Sequence, residues 1–295
     1  MFEKKFTPDT APLPPDLTRA VLAYLGVPPA PPTRNLLDSL IPAYTRAVPW
    51  ESAFRIVKRA RTPNTAACPR WPDEFWADAM ARGGGGSCFE SNYAFLSLLR
   101  ALGYRGYLTI NNMGDTIGCH TAIVMHVDGE QWLVDVGMPL HVPLHIDPSA
   151  PTRRDSPFHT YTVRPDGAGK YKVERTKHPQ PNCYTLVDTP IPDTAYRAAM
   201  TSDYGADGFF LDRIIIYKVV GGRVWRFCSN ETPPHLESFW DGERTDHPLN
   251  GDIAMIVGEH FGMDVATLRA ALAATGYLSG EYARALPAPE FARVF

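Results

Sequence analysis

The dipeptide Asp128-Gly129, flanked by two runs of β-forming residues, constrains the fold of this chain more than any other feature of its sequence. Asp-Gly between such runs is typical of a two-residue β-hairpin turn, and the runs cover residues 121–127 and 131–136. In this hairpin Val127 faces Glu130, and further from the turn Ala122 faces Asp135. The turn therefore predicts the register of both strands.

This register places a histidine and an aspartate close together on one face of the hairpin. Because side chains alternate between the two faces of a strand, His120 shares a face with Ala122 and Asp135, and the Cβ atoms of His120 and Asp135 lie roughly 7 Å apart. An aspartate inside the apolar run WLVDVG is costly to bury unless it is paired. Its partner is either a structural one, such as a backbone amide or an arginine, or His120, whose tautomer it would hold. His126 lies on the same face, nearer the turn, and is the alternative base.

A run of four glycines in ARGGGGSCFESN, residues 81–92, precedes a predicted helix that contains Cys88 in its first turn. No lysine follows the glycines as a phosphate-binding loop requires, and the amphipathic flanks are unlike those of a flexible linker. Two interpretations remain: a tight interhelical turn with an inert buried cysteine, or a loop that presents Cys88 as a nucleophile. In the second, the N-terminus of the helix would lower the pKa of the Cys88 thiol.

The five cysteines, at positions 68, 88, 119, 183 and 228, include no CxxC pair and are predicted to be free thiols. Cys119 adjoins His120, but strand alternation would direct its side chain to the opposite face. A zinc site of Cys88, Cys119 and His120 lacks paired-ligand spacing, so we predict no metal. A nucleophilic cysteine needs a base and an orienter for that base, and Cys88, His120 and Asp135 are the candidates.

Charge and hydropathy exclude several classes of partner. The net charge of -3 provides no concentrated positive charge for nucleic acid or an anionic membrane. No apolar run approaches the ~18 residues of a membrane helix, and the first residues contain no apolar segment of the kind found in secretory signals. We therefore expect a cytoplasmic protein.

The periodicity of apolar residues changes along the chain and predicts an α+β fold. Helical spacing is followed by short β-rich runs, and the chain closes with another helical region capped by Asp264 and ended by Gly276. The predicted helices cover residues 17–25, 35–44, 73–82, 87–102 and parts of 250–275; the predicted strands cover 106–111, 121–127, 131–136, 160–164, 171–175, 213–220 and 223–229.

Several of these segments together resemble the arylamine N-acetyltransferase family. The similarity is strongest in the run from Cys88 to Asn92 after glycines, in the histidine that opens a strand, and in Asp135 within LVDVG. Val48-Pro49-Trp50-Glu51-Ser52 is similar to the VPFEN segment of that family, and residues 24–26 and 32–33 fall where its opening helices place similar residues.

This resemblance implies a fold of three parts with a cysteine-proteinase-like triad. They are an N-terminal helical bundle carrying the nucleophile (residues 1–104), a central β-barrel carrying the histidine and aspartate (105–205) and a C-terminal α/β lid (206–295). Cys88 would be the acylated nucleophile, His120 the general base and Asp135 its orienter.

The same resemblance implies transfer of an acetyl or related acyl group from acyl-CoA to an arylamine, hydrazine or N-hydroxyarylamine by a ping-pong mechanism with a thioester intermediate, as in xenobiotic metabolism. Acetyl-CoA would be a co-substrate, with no tightly bound cofactor, and the protein a monomer or weak homo-oligomer. The alternatives are a cysteine-dependent amide synthase or hydrolase with the same triad, and a catalytically silent relative.

Two positions depart from the pattern of the family. Its usual Arg-Gly-Gly-x-Cys is altered, because Arg82 stands two residues further from Cys88 and Gly84 occupies the usual place of the arginine. Either the loop bulges to bring Arg82 back, or the role of the arginine is lost. The second departure is Met138, which replaces a phenylalanine that commonly lines the acceptor pocket.

Overall fold

The first part of the chain is helical in the structure, a computed structural model that describes residues 10–178 and 180–277. Pro15 at the first position of one helix and the left-handed Gly26 after it delimit that helix, as expected for these residue types. The last helix of this part is buried on all sides for most of its length, so it forms the centre of the bundle. The five helices are α1 Pro15–Leu25, α2 Arg34–Ala47, α3 Ala53–Arg61, α4 Pro72–Arg82 and α5 Cys88–Ala101.

An eight-stranded antiparallel sheet follows and curls into a nearly closed barrel. Its strands are β2 Arg105–Met113, β3 Thr116–Val127, β4 Glu130–Val134, β5 Leu144–Ile146, β6 Thr152–Asp155, β7 Thr160–Pro165, β8 Lys170–Arg175 and β9 Asn182–Val187. Their order in the sheet is β5-β4-β3-β2-β9-β8-β7-β6, and the two edge strands, β5 and β6, lie beside each other. Apolar side chains from the inner faces fill the barrel.

A five-stranded sheet with two helices packed against it forms the last part of the described chain. Its edge strand β1, Trp50–Glu51, comes from the helical part and pairs with β10, while Trp50 also bridges to Gly86. The VPWES segment therefore ties the glycine loop to this sheet. The remaining elements are α6 Asp193–Ser202, β10 Ile215–Val220, β11 Arg223–Cys228, β12 His235–Trp240, β13 Glu243–Pro248, α7 Ile253–Phe261 and α8 Val265–Ala274.

The structure confirms the α+β class, both predicted hairpins and each predicted helix within a few residues. Val127 pairs with Glu130, and Asp264 caps α8 through Thr267 N. The sequence did not predict α3, because its buried face carries Arg55 beside Phe54 and the charge interrupts the apolar stripe. Within the described residues, no helix has the length and hydropathy needed to cross a bilayer.

Three histidines from loops of the barrel pack in a row that ends on the C-terminal sheet. The ring centroids of His141 and His159 are 6.4 Å apart, those of His159 and His178 are 5.7 Å apart, and His178 stacks on Phe239. Burial lowers the pKa of His141 to about 3 and that of His159 to about 4, with Arg175 nearby adding to both shifts. These two imidazoles are therefore neutral in the folded protein at pH 7.

We expect these two histidines to make the fold sensitive to acid. Their pKa values are lower in the folded chain than the ordinary value of 6.5, so the unfolded chain binds more protons and stability is lost as the pH falls from about 6.5 toward 4. At about pH 4.5 each should contribute roughly 2–3 kcal/mol less than at neutral pH. Urea unfolding from pH 7 to pH 4.5 measures this slope, which should be shallower in His141→Phe and unchanged in His126→Gln, a variant at an exposed histidine.

Candidate active site

Cys88 is the first residue of α5 and is buried where the bundle meets the barrel. Ser87 precedes it at the N-cap position, and only 4% of Cys88 is exposed. Its thiol donates to Cys119 O at 3.8 Å, and its carbonyl accepts from Thr121 Oγ1 at 2.8 Å. Both contacts are with β3, so Cys88 is held against the strand that carries His120.

His120 and Asp135 form a hydrogen-bonded pair inside the barrel. His120 Nε2 lies 2.7 Å from Asp135 Oδ2, and both side chains are fully buried. The other ring nitrogen, Nδ1, has no hydrogen-bond partner among the described residues. Gly137 packs directly on Cys88, because a Cβ atom there would lie 2.6 Å from Cys88 Cβ. The structure thus brings Cys88, His120 and Asp135 to one place and leaves His120 Nδ1 available to a second group.

Asn92 and Tyr184, which the sequence did not predict, lie next to the His120–Asp135 pair. Asn92 Nδ2 donates to Asp135 Oδ1 at 3.1 Å and to Thr121 O at 2.7 Å, and Asn92 Oδ1 accepts from Val136 N at 3.0 Å. The Tyr184 ring lies 4.5 Å from the His120 ring, centroid to centroid. Asn92 stands four residues after Cys88, on the same side of α5, and that spacing was the signal available. Nothing near Tyr184 in the sequence points to His120.

The electrostatic surroundings of Cys88 differ from the sequence-based prediction. Burial raises the pKa of the Cys88 thiol well above its ordinary value, and the carboxylates of Asp203 and Asp135 raise it further. The prediction that the helix N-terminus lowers this pKa is therefore wrong for the thiol taken by itself, because desolvation and two negative charges outweigh the helix dipole. A thiolate at Cys88 needs a neighbouring group that becomes cationic by accepting the proton, and among the described residues His120 Nδ1 has no hydrogen-bond partner.

Cys119 does not follow the strand alternation that the sequence suggested. Its side chain packs in the same apolar cluster as Ala122 and Val124, so the prediction that it points away from their face is wrong. The positive φ of Gly118 and a shift in register between β2 and β3 break the alternation at this end of the strand. The alternative base, His126, is exposed at the other end of β3 and lies apart from the triad.

The glycine run is a tightly packed turn between α4 and α5. Gly83 has the left-handed conformation that ends α4, with φ of 64°. A Cβ atom would lie 1.9 Å from Gly262 O at Gly83 and 1.8 Å from Pro49 O at Gly85. At Gly84 and Gly86 the nearest atoms, from Phe54 and Glu90, would be 2.8 Å away. Gly83 and Gly85 therefore have no room for a side chain because backbone of other segments packs against them, whereas at Gly84 and Gly86 the side chains of Phe54 and Glu90 would have to shift.

Gly85→Ala should therefore destabilise the protein strongly. Its Cβ would overlap backbone that cannot move independently, and we expect a loss of about 3 kcal/mol or more in the free energy of unfolding. Gly114→Ala is the control, because Gly114 has φ of 53° but open space around it, and should cost only about 1–2 kcal/mol. Equal effects of the two variants in urea unfolding would contradict the packed-turn interpretation.

Arg70, and not Arg82, supplies the buried guanidinium beneath this loop. Arg70 Nη2 lies 2.6 Å from Glu90 Oε2, 2.6 Å from Gly85 O and 3.7 Å from Glu51 Oε1, and its side chain is 1% exposed. The side chain of Arg82 is 44% exposed and pairs with Asp78, a largely buried carboxylate that also accepts from Arg70 Nη1 at 3.2 Å. Because two extra residues separate Arg82 from Cys88, the Arg82 guanidinium stays outside the buried site beneath the glycine loop. Arg70, from the segment before α4, lies there between Glu51 and Glu90 instead.

The two arginines should respond differently to truncation. Arg70→Met leaves the carboxylates of Glu51 and Glu90 buried without their cation, and should destabilise the fold by about 3–5 kcal/mol. Arg82→Met removes an ion pair whose arginine is half-exposed, and Asp78 keeps its contact with Arg70, so the loss should be about 0–1 kcal/mol. Urea unfolding of both variants compares them, and a larger effect at Arg82 would contradict the assignment.

One group of potential metal ligands lies away from the triad, in the C-terminal sheet. Ligand atoms of His235, Glu237 and Asp246 lie within 4.8 Å of one another. However, Arg226 binds Glu237 at 2.8 Å and Arg244 binds Asp246 at 2.6 Å. These guanidinium groups already provide the positive charge that a cation would bring.

Met138 lies beside the triad on the carboxylate side. Its backbone N donates to Asp135 Oδ1 at 2.9 Å, as does Gly137 N at 2.8 Å. Its side chain is buried in the barrel cluster that also contains Trp50 and Phe210. The residue that departs from the family pattern therefore donates to Asp135 through its backbone and contributes a flexible thioether to the apolar wall.

Both the sequence and the fold of the chain can be compared with those of known proteins. The family model for N-acetyltransferases matches residues 35–207, more than half of the chain. No curated protein sequence is significantly similar to the chain.

Solved structures share the fold. The arylamine N-acetyltransferase from Mycobacterium abscessus is 20% identical, with a TM-score of 0.73 over 90% of this chain and 95% of that chain. The Mycobacterium marinum enzyme in complex with CoA is 18% identical, with a TM-score of 0.74 over 88% and 98%. The Bacillus cereus enzyme, described as having a unique Cys-His-Glu catalytic triad, is 18% identical, with a TM-score of 0.68 over 84% and 99%.

Proposed function

Because the chain belongs to the arylamine N-acetyltransferase family, we propose that it transfers an acetyl or related acyl group from acyl-CoA to an arylamine, hydrazine or N-hydroxyarylamine through an acyl-enzyme at Cys88. The observation that carries the proposal is the buried His120–Asp135 pair, with Nε2 bound to the carboxylate at 2.7 Å and Nδ1 without a partner among the described residues, next to a cysteine at a helix N-terminus. The Mycobacterium marinum relative binds CoA, which supports an acyl-CoA donor.

In the first half-reaction Cys88 becomes acylated. Its proton passes to His120 Nδ1, and Asp135 stabilises the resulting imidazolium through the hydrogen bond to Nε2. The Cys88 thiolate attacks the thioester carbonyl, a new carbon–sulfur bond forms, and the bond to the CoA sulfur breaks. The imidazolium returns its proton to the departing CoA thiolate, so CoA leaves as a thiol and His120 is neutral.

In the second half-reaction the amine takes the acyl group. Its nitrogen attacks the acyl carbon, His120 Nδ1 accepts a proton from that nitrogen, and Cys88 leaves as a thiolate. The thiolate and the imidazolium are restored together for the next cycle.

Acylation of Cys88 can be tested by weighing the intact protein after incubation with acetyl-CoA. We expect the wild type to gain the mass of one acetyl group and Cys88→Ala to gain none, because the thiolate is the nucleophile. Cys119→Ala is the matched control, since it removes the neighbouring thiol and should still be acetylated. The absence of a mass gain on wild type, or an equal gain on Cys88→Ala, would refute the proposal.

The fate of this acyl-enzyme separates a transferase from a hydrolase with the same triad. Without an amine, the added mass should persist over the time in which an added arylamine or hydrazine removes it. Rapid loss of the acetyl group in buffer alone would instead favour a hydrolase.

A further inference from the structure

A buried ion pair between Arg55 and Asp203 lies next to Ser87, the residue before Cys88, and takes no part in the reaction steps described above. Arg55, on α3, has a side chain that is 1% exposed. Its Nη1 donates to Asp203 Oδ2 at 2.7 Å and to Ser87 Oγ at 2.9 Å, and its Nη2 donates to Asp203 O at 2.7 Å. One guanidinium therefore holds the residue that precedes Cys88 and a carboxylate that follows α6.

The hydrogen bond from Arg55 replaces the usual capping hydrogen bond of Ser87 at the start of α5. A serine at the N-cap position commonly accepts a hydrogen bond from the backbone of the first turn. Here the side chain of Ser87 makes no such cap and its hydroxyl oxygen accepts from Arg55 instead. The position of the first helical residue, Cys88, is thereby coupled to the buried cation.

The charged and titratable groups around Cys88 come from several elements. His120 and Asp135 approach from the barrel, Cys119 from the start of β3, Tyr196 from α6 and Asp203 from the segment after it.

Beside the Arg55–Asp203 pair lie Glu90, with Arg70 bound to it, and Tyr204, whose hydroxyl donates to Glu90 at 2.5 Å. Among the carboxylates that act on Cys88, Asp135 is bound to His120 and Asp203 is bound to Arg55.

We propose that Arg55 is a positioning residue which, by pairing with Asp203 and holding Ser87, allows Cys88 to ionise. Without Arg55, the Asp203 carboxylate would oppose a negative charge on Cys88 in surroundings where charges are poorly screened. With Arg55 in place, the pair is neutral as a whole and its positive end faces Ser87. The proposal rests on the proposed function of Cys88 as the nucleophile, but it concerns ionisation of the thiol and not the identity of the substrates.

The pair can be tested through the pH dependence of Cys88 alkylation by iodoacetamide, with the modified residue identified by mass. Asp203→Asn keeps the shape and removes the negative charge, so the midpoint of the alkylation profile should fall by about half a pH unit or more. Arg55→Met leaves the carboxylate unpaired, and the midpoint should rise by a similar amount. The double variant Arg55→Met/Asp203→Asn removes both charges and should return the midpoint close to that of wild type.

A second buried pair provides the matched control. Arg226 and Glu237 lie 2.8 Å apart in the C-terminal sheet, and Glu237→Gln should leave the alkylation midpoint unchanged. Thermal unfolding of each variant shows whether it is folded, and if Arg55→Met is not, Asp203→Asn alone decides. A midpoint for folded Asp203→Asn at or above that of wild type, or an equal shift in Glu237→Gln, would overturn the proposal. Alkylation needs no acetyl-CoA, so this result is independent of whether the acetyl group is transferred.

Discussion

The buried carboxylate of Asp135 is the constraint on which the structure around the triad depends. A charge with no exposed surface must be satisfied by hydrogen bonds, and here His120 occupies one oxygen while Asn92, Gly137 N and Met138 N donate to the other. These donors come from the barrel, from the loop after β4 and from α5. Satisfying one aspartate therefore joins the two parts of the protein at the place where Cys88 begins its helix, and it leaves His120 Nδ1 as the nitrogen available to the thiol.

Behind this centre, buried arginines are placed where the glycine loop and α5 meet. Arg70 lies between Glu51 and Glu90, and Arg55 lies between Asp203 and Ser87. Buried ion pairs contribute little net stability compared with apolar contacts of similar size, but removing one partner is costly. Their value here lies in geometry and charge, because they hold the backbone before Cys88 and balance the acidic residues around it.

The hairpin could be predicted from sequence because Asp128-Gly129 sets its register, and the alternation of side chains along each strand then assigns every residue to one face. Helical spacing likewise predicted α5, and with it the position of Cys88. The prediction for Cys119 failed because Gly118 and a register shift break the alternation, and the missed helix α3 carries a charge on its buried face. Local patterns thus predicted the elements in which side chains follow the regular period of the backbone. They failed where a glycine and a register shift break that period, and where a charged side chain lies on a buried face.

By itself, the sequence determined which residues could form a nucleophile, a base and an orienter, because periodicity and turn chemistry are local properties. Only the tertiary structure decided which arginine supports the loop, since Arg70 and Arg82 differ in burial and not in any local pattern. It also decided the direction in which the pKa of Cys88 shifts, because desolvation and the charge of Asp203 arise from segments distant in sequence. The four glycines illustrate both kinds of information. The sequence shows that they are there, but only the tertiary structure shows the backbone and side chains that pack against them and restrict those positions.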